Sequence, residues 1–284
     1  MGKDNIYETP LKMKTEIVKT GFRGKIKINN PRNNMTLKVF ILIMFVMSIM
    51  SISQLNIEWY KLIARFPLLG GIFVQLLKFN FGNFSLVLDG FAESVEITIL
   101  SIVYSVFAGL IMAIFMAKNI TPSKTLAVLL TAINSFIRAV PIVVWVLLLL
   151  TCLGLGPAPG VLGLSFHASA FFAKAFSESF EEVPEDSIEA IKATGATSIQ
   201  IFFSAILPAA FTSLIAWISM RFEINFGESS ILGMVGAGGI GYSIYSSISS
   251  YNYGRAGISI LLVFAFAYAI EIIFTTIKYK LKVN

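Results

Sequence analysis

Long apolar stretches broken by short polar ones set the pattern of this chain. Apolar runs fall at about 37–54, 91–117, 126–153, 161–176, 199–224 and 257–277. A helix needs about 20 such residues to cross the hydrocarbon layer of a bilayer. The pattern therefore predicts an all-α polytopic membrane bundle of about six spans. The run 126–153 is too long for one straight span, and Arg138 and Pro141 divide it. It is either a tilted, kinked helix or an interfacial helix leading into a span that starts near Arg138. Gly154 to Gly160 reads as a turn, and Pro208 lies early in the fifth span.

The polar segments divide the chain further. Residues 1–36 form a basic tail, expected to lie on the cytoplasmic side against anionic lipid. The first span, 37–54, reads as an uncleaved signal anchor. Residues 55–90 mix Trp59, Tyr60 and several Phe with Lys61, Arg65 and Lys78, which suits an interfacial, extracytoplasmic connection. The core is 91–284. It contains a Gly/Ser-rich segment, 227–250, and one strongly polar run, 178–198. No internal repeat of the kind found in many secondary transporters is visible.

Composition narrows the class. Of 284 residues, 56% are hydrophobic and 13% charged, well outside the soluble range. The net charge of +6 sits at membrane edges rather than on one face, so it reads as topology and not as a nucleic-acid footprint. With the amino terminus inside, most Lys and Arg fall on the cytoplasmic side, and both termini and the 178–198 run are placed there. The expected location is a membrane crossed several times. The lone Cys152, within an apolar run, excludes an intrachain disulfide and reads as a packing residue.

The polar run carries the sharpest signal. Charged side chains in hydrocarbon cost several kcal/mol, so the run must face water. Pro184 can open a short helix, with Glu185 and Asp186 favouring its amino-terminal dipole. Gly195 can end it in a left-handed conformation at little cost. Ala190, Ala193 and Thr194 leave one side thin enough for close approach by a partner. An ordinary loop needs no helix bounded by Pro and Gly, so a docking surface is the preferred reading.

Glu189-Ala190-Ile191, three residues, Gly195, nine residues, then Ala205-Ile206-Leu207-Pro208 resembles the EAA loop of bacterial ABC importer permeases. Ile191 and Ala205 depart from that pattern, while the Glu, Gly, Leu, Pro and their spacing match. Arg138-Ala139-Val140-Pro141-Ile142-Val143-Val144-Trp145 is similar to a stretch of phosphonate-type permeases, with Ile142 where they carry Glu. Ile231 to Tyr242, with Gly236, Gly238, Gly239 and Gly241, resembles their Gly-rich segment, and Asn252 to Ala256 falls where they carry an aromatic-x-Arg-Ala run. The resemblance covers roughly Phe91 to the end. It implies the MetI-like fold and the membrane subunit of a phosphonate-type ABC importer, working as a homodimer with two cytoplasmic ATPase subunits and an extracytoplasmic substrate-binding protein. It implies ATPase coupling through Glu189, Ala190, Gly195, Leu207 and Pro208. Permeases for another small solute such as methionine share such a loop. A gradient-driven secondary transporter is the remaining alternative.

The charges inside spans are candidates for the substrate route. Arg138 lies on the route or snorkels to the cytoplasmic surface. Arg221 and Glu223 lie on the route or at the outer end of their helix, and two residues apart they point to different sides. Pro141, Gly236, Gly238, Gly239 and Gly241 are candidates for a gate. The string Gly236-x-Gly238-x-x-Gly241 matches a dinucleotide fingerprint only as text, since neither a βαβ unit nor a suitably placed acid accompanies it. Here the glycines read as positions of close backbone approach, or as an irregular segment lining a polar cavity. His167, the only histidine, reads as a packed, hydrogen-bonded residue. Asp89, Glu93 and Glu96 flank the second span, with Glu96 able to face a cavity. No P-loop, nucleophile–base pair or metal-ligand spacing is present, so the chain is expected to hold no catalytic residue, metal or cofactor, with ATP used by a separate subunit.

Overall fold

The computed structural model describes residues 31–55 and 57–283, so residues 1–30, most of the basic tail, lie outside the described part. The chain divides into two units at Pro67 and Leu68. Ten helices account for nearly all of the described residues. They are α1 (Pro31–Gln54), α2 (Trp59–Leu77), α3 (Phe84–Met116), α4 (Lys124–Ala139), α5 (Ile142–Leu153), α6 (Pro157–Glu181), α7 (Glu185–Lys192), α8 (Ser198–Met234), α9 (Ile240–Ser249) and α10 (Tyr253–Val283).

Among the described residues, five helices are long and apolar enough to cross a membrane, or six if α4 and α5 make one bent span. The number agrees with expectation, but the set differs. Within the expected connection 55–90, α2 is one of the five. Its charges, Lys61 and Arg65, stop in the second turn, and residues 66–77 carry none. The expected fourth span, 161–176, lies in α6, which is not among them. That helix is buried on most sides, and a helix covered by protein has no need of lipid-like hydropathy. The second span starts at Phe84 rather than Phe91, so Asp89, Glu93 and Glu96 lie inside α3 instead of flanking it.

The long run 126–153 is two helices meeting at an angle of 85°. Pro141 causes the break. It has no N–H to offer the carbonyl four residues back, that of Ile137. The Trp145 indole supplies the missing donor, reaching the Ile137 oxygen at 3.2 Å. Trp145 also meets Phe136 and Phe166 edge-on, which ties the bend to α6.

Small residues let the core helices approach closely. α3 packs most extensively on α6. At their crossing a Cβ on Gly109 would lie 3.1 Å from the Ser169 carbonyl oxygen and 3.2 Å from the Ala173 nitrogen. Ser94, Thr98, Ser101 and Ser105 line the buried face of α3. The last three, with Ser165 and Ser169 on α6, turn their hydroxyls back onto carbonyls of their own helix, so these donors are satisfied without water. Phe172, Phe176 and Phe180 form an i, i+4, i+8 aromatic column in the largest core cluster. Phe180 meets Phe202 of α8 edge-on, with ring centroids 5.4 Å apart. Cys152, read as a packing residue, is instead exposed at the surface of the chain, because α5 buries only Val146 and Leu150.

Candidate functional site

The polar run folds as the sequence suggested. Pro184 (φ −56°) opens α7, Glu185 and Asp186 occupy its first turn, and Lys192 its last. The chain then turns, the Thr194 amide bonding to the Ile191 carbonyl (3.1 Å) and the Gly195 amide to that of Lys192 (3.0 Å). Gly195 takes φ +84°, a left-handed conformation that any side chain would strain. Open space surrounds it. Thr197 and Gln200 then start α8 as a reciprocal capping box.

Only one face of α7 is anchored. Ile188 and Ile191 pack on the cluster that holds Val183, Phe202 and Ala205. Glu189, Ala190, Ala193 and Gly195 are exposed, and Glu189 forms no ion pair among the described residues. Beneath α7 the α3–α4 loop is clipped to the end of α6. The Asn119 amide donates to the Phe180 carbonyl (2.7 Å) and the Lys118 backbone N–H to Glu181 (2.8 Å).

Pro208 does not interrupt the membrane helix that follows. The backbone widens to one π turn, Phe202–Ile206, and the Leu207 amide bonds five residues back to Phe202. This accommodates the proline ring, which would clash with a carbonyl in regular α geometry. Leu207 packs into the core beneath α7, while Pro208 is exposed.

At the opposite end of α8, the glycine-rich segment is a tight break between two helices. Gly236, Gly238 and Gly239 take φ values of +106°, +77° and +84°. The Ala237 amide closes the end of α8 on the Leu232 carbonyl at 3.1 Å. α9 then starts against the backbone of α8. A Cβ on Gly241 would overlap the Ser230 carbonyl and lie 3.0 Å from the Gly233 Cα. Two side chains of α3 hold the break. The Glu93 carboxylate accepts the Gly239 N–H at 2.6 Å, and the Ser94 hydroxyl accepts the Ile240 N–H at 3.0 Å. Both cap the start of α9, where amides lack partners in the helix and a negative charge suits the helix dipole. Gly238, Gly239 and Glu93 also line a cavity of about 240 Å³ with Gly90, Ser243 and Arg255.

The intramembrane charges separate as their spacing implied. Arg221 lies well inside α8, 4% exposed, rather than at a helix end. Its guanidinium donates to Glu228 at 2.8 Å and stands 3.3 Å from His167 Nδ1 on α6. It also lies over the Phe171 ring, 5.6 Å from the centroid. Glu223 faces elsewhere, towards a separate polar cavity of about 210 Å³ that includes Glu271 and Lys278. Arg138 is in the last turn of α4, exposed, where a cation suits the helix dipole. Pro141 makes the bend beside it. The structure therefore does not gather the candidate route residues into one site. Sequence reading missed the capping role of Glu93 and Ser94, the bond from Trp145, and Glu228 as the partner of Arg221. Glu228 follows Arg221 by seven residues, two helical turns, and that same-face spacing was a readable signal. Among the described residues, no three His, Cys, Asp or Glu side chains converge to hold a metal ion.

This is a helical membrane permease fold, built around a bent span, an exposed short helix and a glycine-broken hairpin. Residues 105–281 match the family "Binding-protein-dependent transport system inner membrane component". The chain belongs to this family and is a transport permease rather than an enzyme. It is 31% identical to the phosphate-import permease protein PhnE of Mycolicibacterium smegmatis, over 71% of this chain and 38% of that protein. It is 31% identical to the phosphite transport system permease protein PtxC of Stutzerimonas stutzeri, over 63% of this chain and 64% of that one. The match thus spans less than two thirds of either relative. An inward-facing structure of the MetNI methionine ABC transporter shares the fold, with a TM-score of 0.62 at 21% identity, covering 71% of this chain and 98% of that one.

Proposed function

We propose that this chain is the membrane subunit of an ATP-driven ABC importer that carries a small oxyanion of the phosphonate, phosphite or phosphate type into a bacterial cell. In this reading it works as a homodimer, with two cytoplasmic ATPase subunits and an extracytoplasmic binding protein, and both termini are cytoplasmic. The observation that carries the reading is α7, a short helix held from below by Ile188 and Ile191 while Glu189 and Ala190 stay free to meet another protein. The names of the related permeases support the substrate class.

The coupling follows from that anchoring. Nucleotide-driven closure of the ATPases moves α7, and the two isoleucines pass the movement to Phe202 and the π turn of α8. The membrane core then exchanges inward-facing and outward-facing packings, which the ATPases and the loaded binding protein bias. Glu189 makes the polar contact, Gly195 permits the turn, and Leu207 and Pro208 set how α8 leaves the membrane surface. Arg138 and Pro141 at the bend, and Gly236, Gly238, Gly239 and Gly241 at the opposite end, border the route. Arg221 stays neutralised by Glu228, with Glu223 on the other side of the same helix.

Gly195→Trp tests the reading. The expected result is normal membrane insertion, loss of ATPase co-purification and loss of oxyanion uptake. Normal assembly of that variant with the ATPase overturns the coupling role. Uptake that follows a proton or sodium gradient, and persists without the ATPase, identifies a secondary transporter instead. A binding protein that captures only methionine or another solute refutes the substrate class.

A further inference from the structure

The cavity beside the glycine break has chemistry that its structural role does not use. It lies between the start of α3, α9 and the start of α10, with Leu86, Val87, Gly90 and Tyr242 among its walls. Arg255 enters it from the first turn of α10. Its Nε donates to the Ser247 hydroxyl at 2.7 Å, which fixes the plane of the guanidinium. Among the described residues its terminal nitrogens have no protein partner and it forms no ion pair. The Ser243 hydroxyl, in the same cavity, is likewise without a protein hydrogen bond, and the Ser246 hydroxyl adds a further polar group.

Position makes this arginine harder to explain as a packing residue. A cation in the first turn of a helix opposes the dipole of that helix. The carboxyl-terminal turn of α9, which carries Ser247, offsets part of the cost. What remains is a half-buried fork of donors facing a space large enough for a small molecule. A guanidinium with free terminal nitrogens matches a tetrahedral oxyanion in geometry as well as charge.

We propose that Arg255, with Ser243 and Ser246, is a transient receiving site for a tetrahedral oxyanion at the outer end of the permease. The proposal rests on the orientation and substrate class given above. Glu93 explains why the site would be transient. One of its oxygens caps Gly239, and its charge stands in the same cavity as Arg255. A route needs sites that attract the passenger yet release it. An arginine alone would hold the anion, and a carboxylate in the same wall weakens that hold. Because Glu93 also clasps the glycine break, an arriving anion would act on the residue that pins α9 to α3.

The test uses the complete permease–ATPase complex, in phospholipid nanodiscs and in lipid-free amphipol, with radiolabelled inorganic phosphate as probe and no binding protein present. Arg255→Gln should weaken phosphate binding on the order of tenfold or more, the loss of a charge-assisted contact. Arg255→Lys should bind at an intermediate level, since it keeps the charge and loses the fork. Glu93→Gln, which keeps the acceptor for Gly239, should bind phosphate more tightly and, in proteoliposomes supplied with the binding protein and ATP, transport it more slowly. A merely structural arginine would not produce these opposite shifts. Unchanged binding in Arg255→Gln, or weaker binding in Glu93→Gln, overturns the proposal. Phosphate binding in amphipol that vanishes in nanodiscs also overturns it, identifying a lipid headgroup as the occupant. If the wild-type complex binds phosphate here yet imports no oxyanion in proteoliposomes supplied with the binding protein and ATP, the functional reading fails and the site stands.

Discussion

Gly195 and Gly239 share one φ, +84°, on either side of α8, and their surroundings differ completely. Gly195 stands in open space, on a turn held by backbone bonds within its own short helix. Gly239 is pressed against Ser94, its amide is taken by Glu93, and its neighbour Gly241 lies on the backbone of α8. The first glycine serves a shape that stands clear of the rest of the chain, where the proposed function places a partner. The second serves a shape the chain imposes on itself. Substitution should therefore separate them: at the glycine break the protein loses its fold, and at the α7 turn it loses its partner.

The largest effect should come from Gly241→Leu. A side chain there meets backbone rather than a flexible neighbour, so the loss should reach about 3 kcal/mol or more. The variant should fail to yield folded protein in a fluorescence-detected size-exclusion assay, whereas Gly195→Leu should elute normally. Equal behaviour of the two would break the comparison. Glu93→Ala should come next, because it leaves the start of α9 without its charged acceptor. A cost of about 2 kcal/mol is expected, read as a lower unfolding temperature in detergent.

Gly195→Ala sharpens the other side. Space is free, so the penalty is the backbone's alone, roughly 1–2 kcal/mol for a left-handed alanine. It should speed hydrogen exchange in residues 185–195 and leave residues 236–241 unchanged. Thr197→Ala removes half of the capping box that starts α8. It should cost about 1 kcal/mol, confined to the same turn, and reduce ATPase co-purification only slightly.

Much of the α7 segment was legible in sequence because its signals are local. Proline before a helix, acids in the first turn and glycine at the end act within a few residues of themselves. The same holds for the break at Pro141, where a missing N–H forces a local consequence. The glycine break was legible only as a cluster of glycines. Nothing local says that Gly239 needs Glu93, which lies 146 residues earlier. α2 was missed because Lys61 and Arg65 gave its start an interfacial look. α6 was read as an ordinary span because its apolar run follows a turn like the others, and its burial on most sides shows only once the helices pack.

The sequence by itself determined an α-helical membrane bundle and a water-facing helix with fixed ends. Hydrocarbon forbids unpaired backbone polar groups, and proline and glycine act on the chain within one turn. Tertiary structure decided which helix lies at the centre, that Arg221 pairs with Glu228 beside His167, and that Arg255 and Glu93 share one cavity. Those are meetings between residues distant in the chain or turned to a common face, and close packing selects among them only once the helices have assembled.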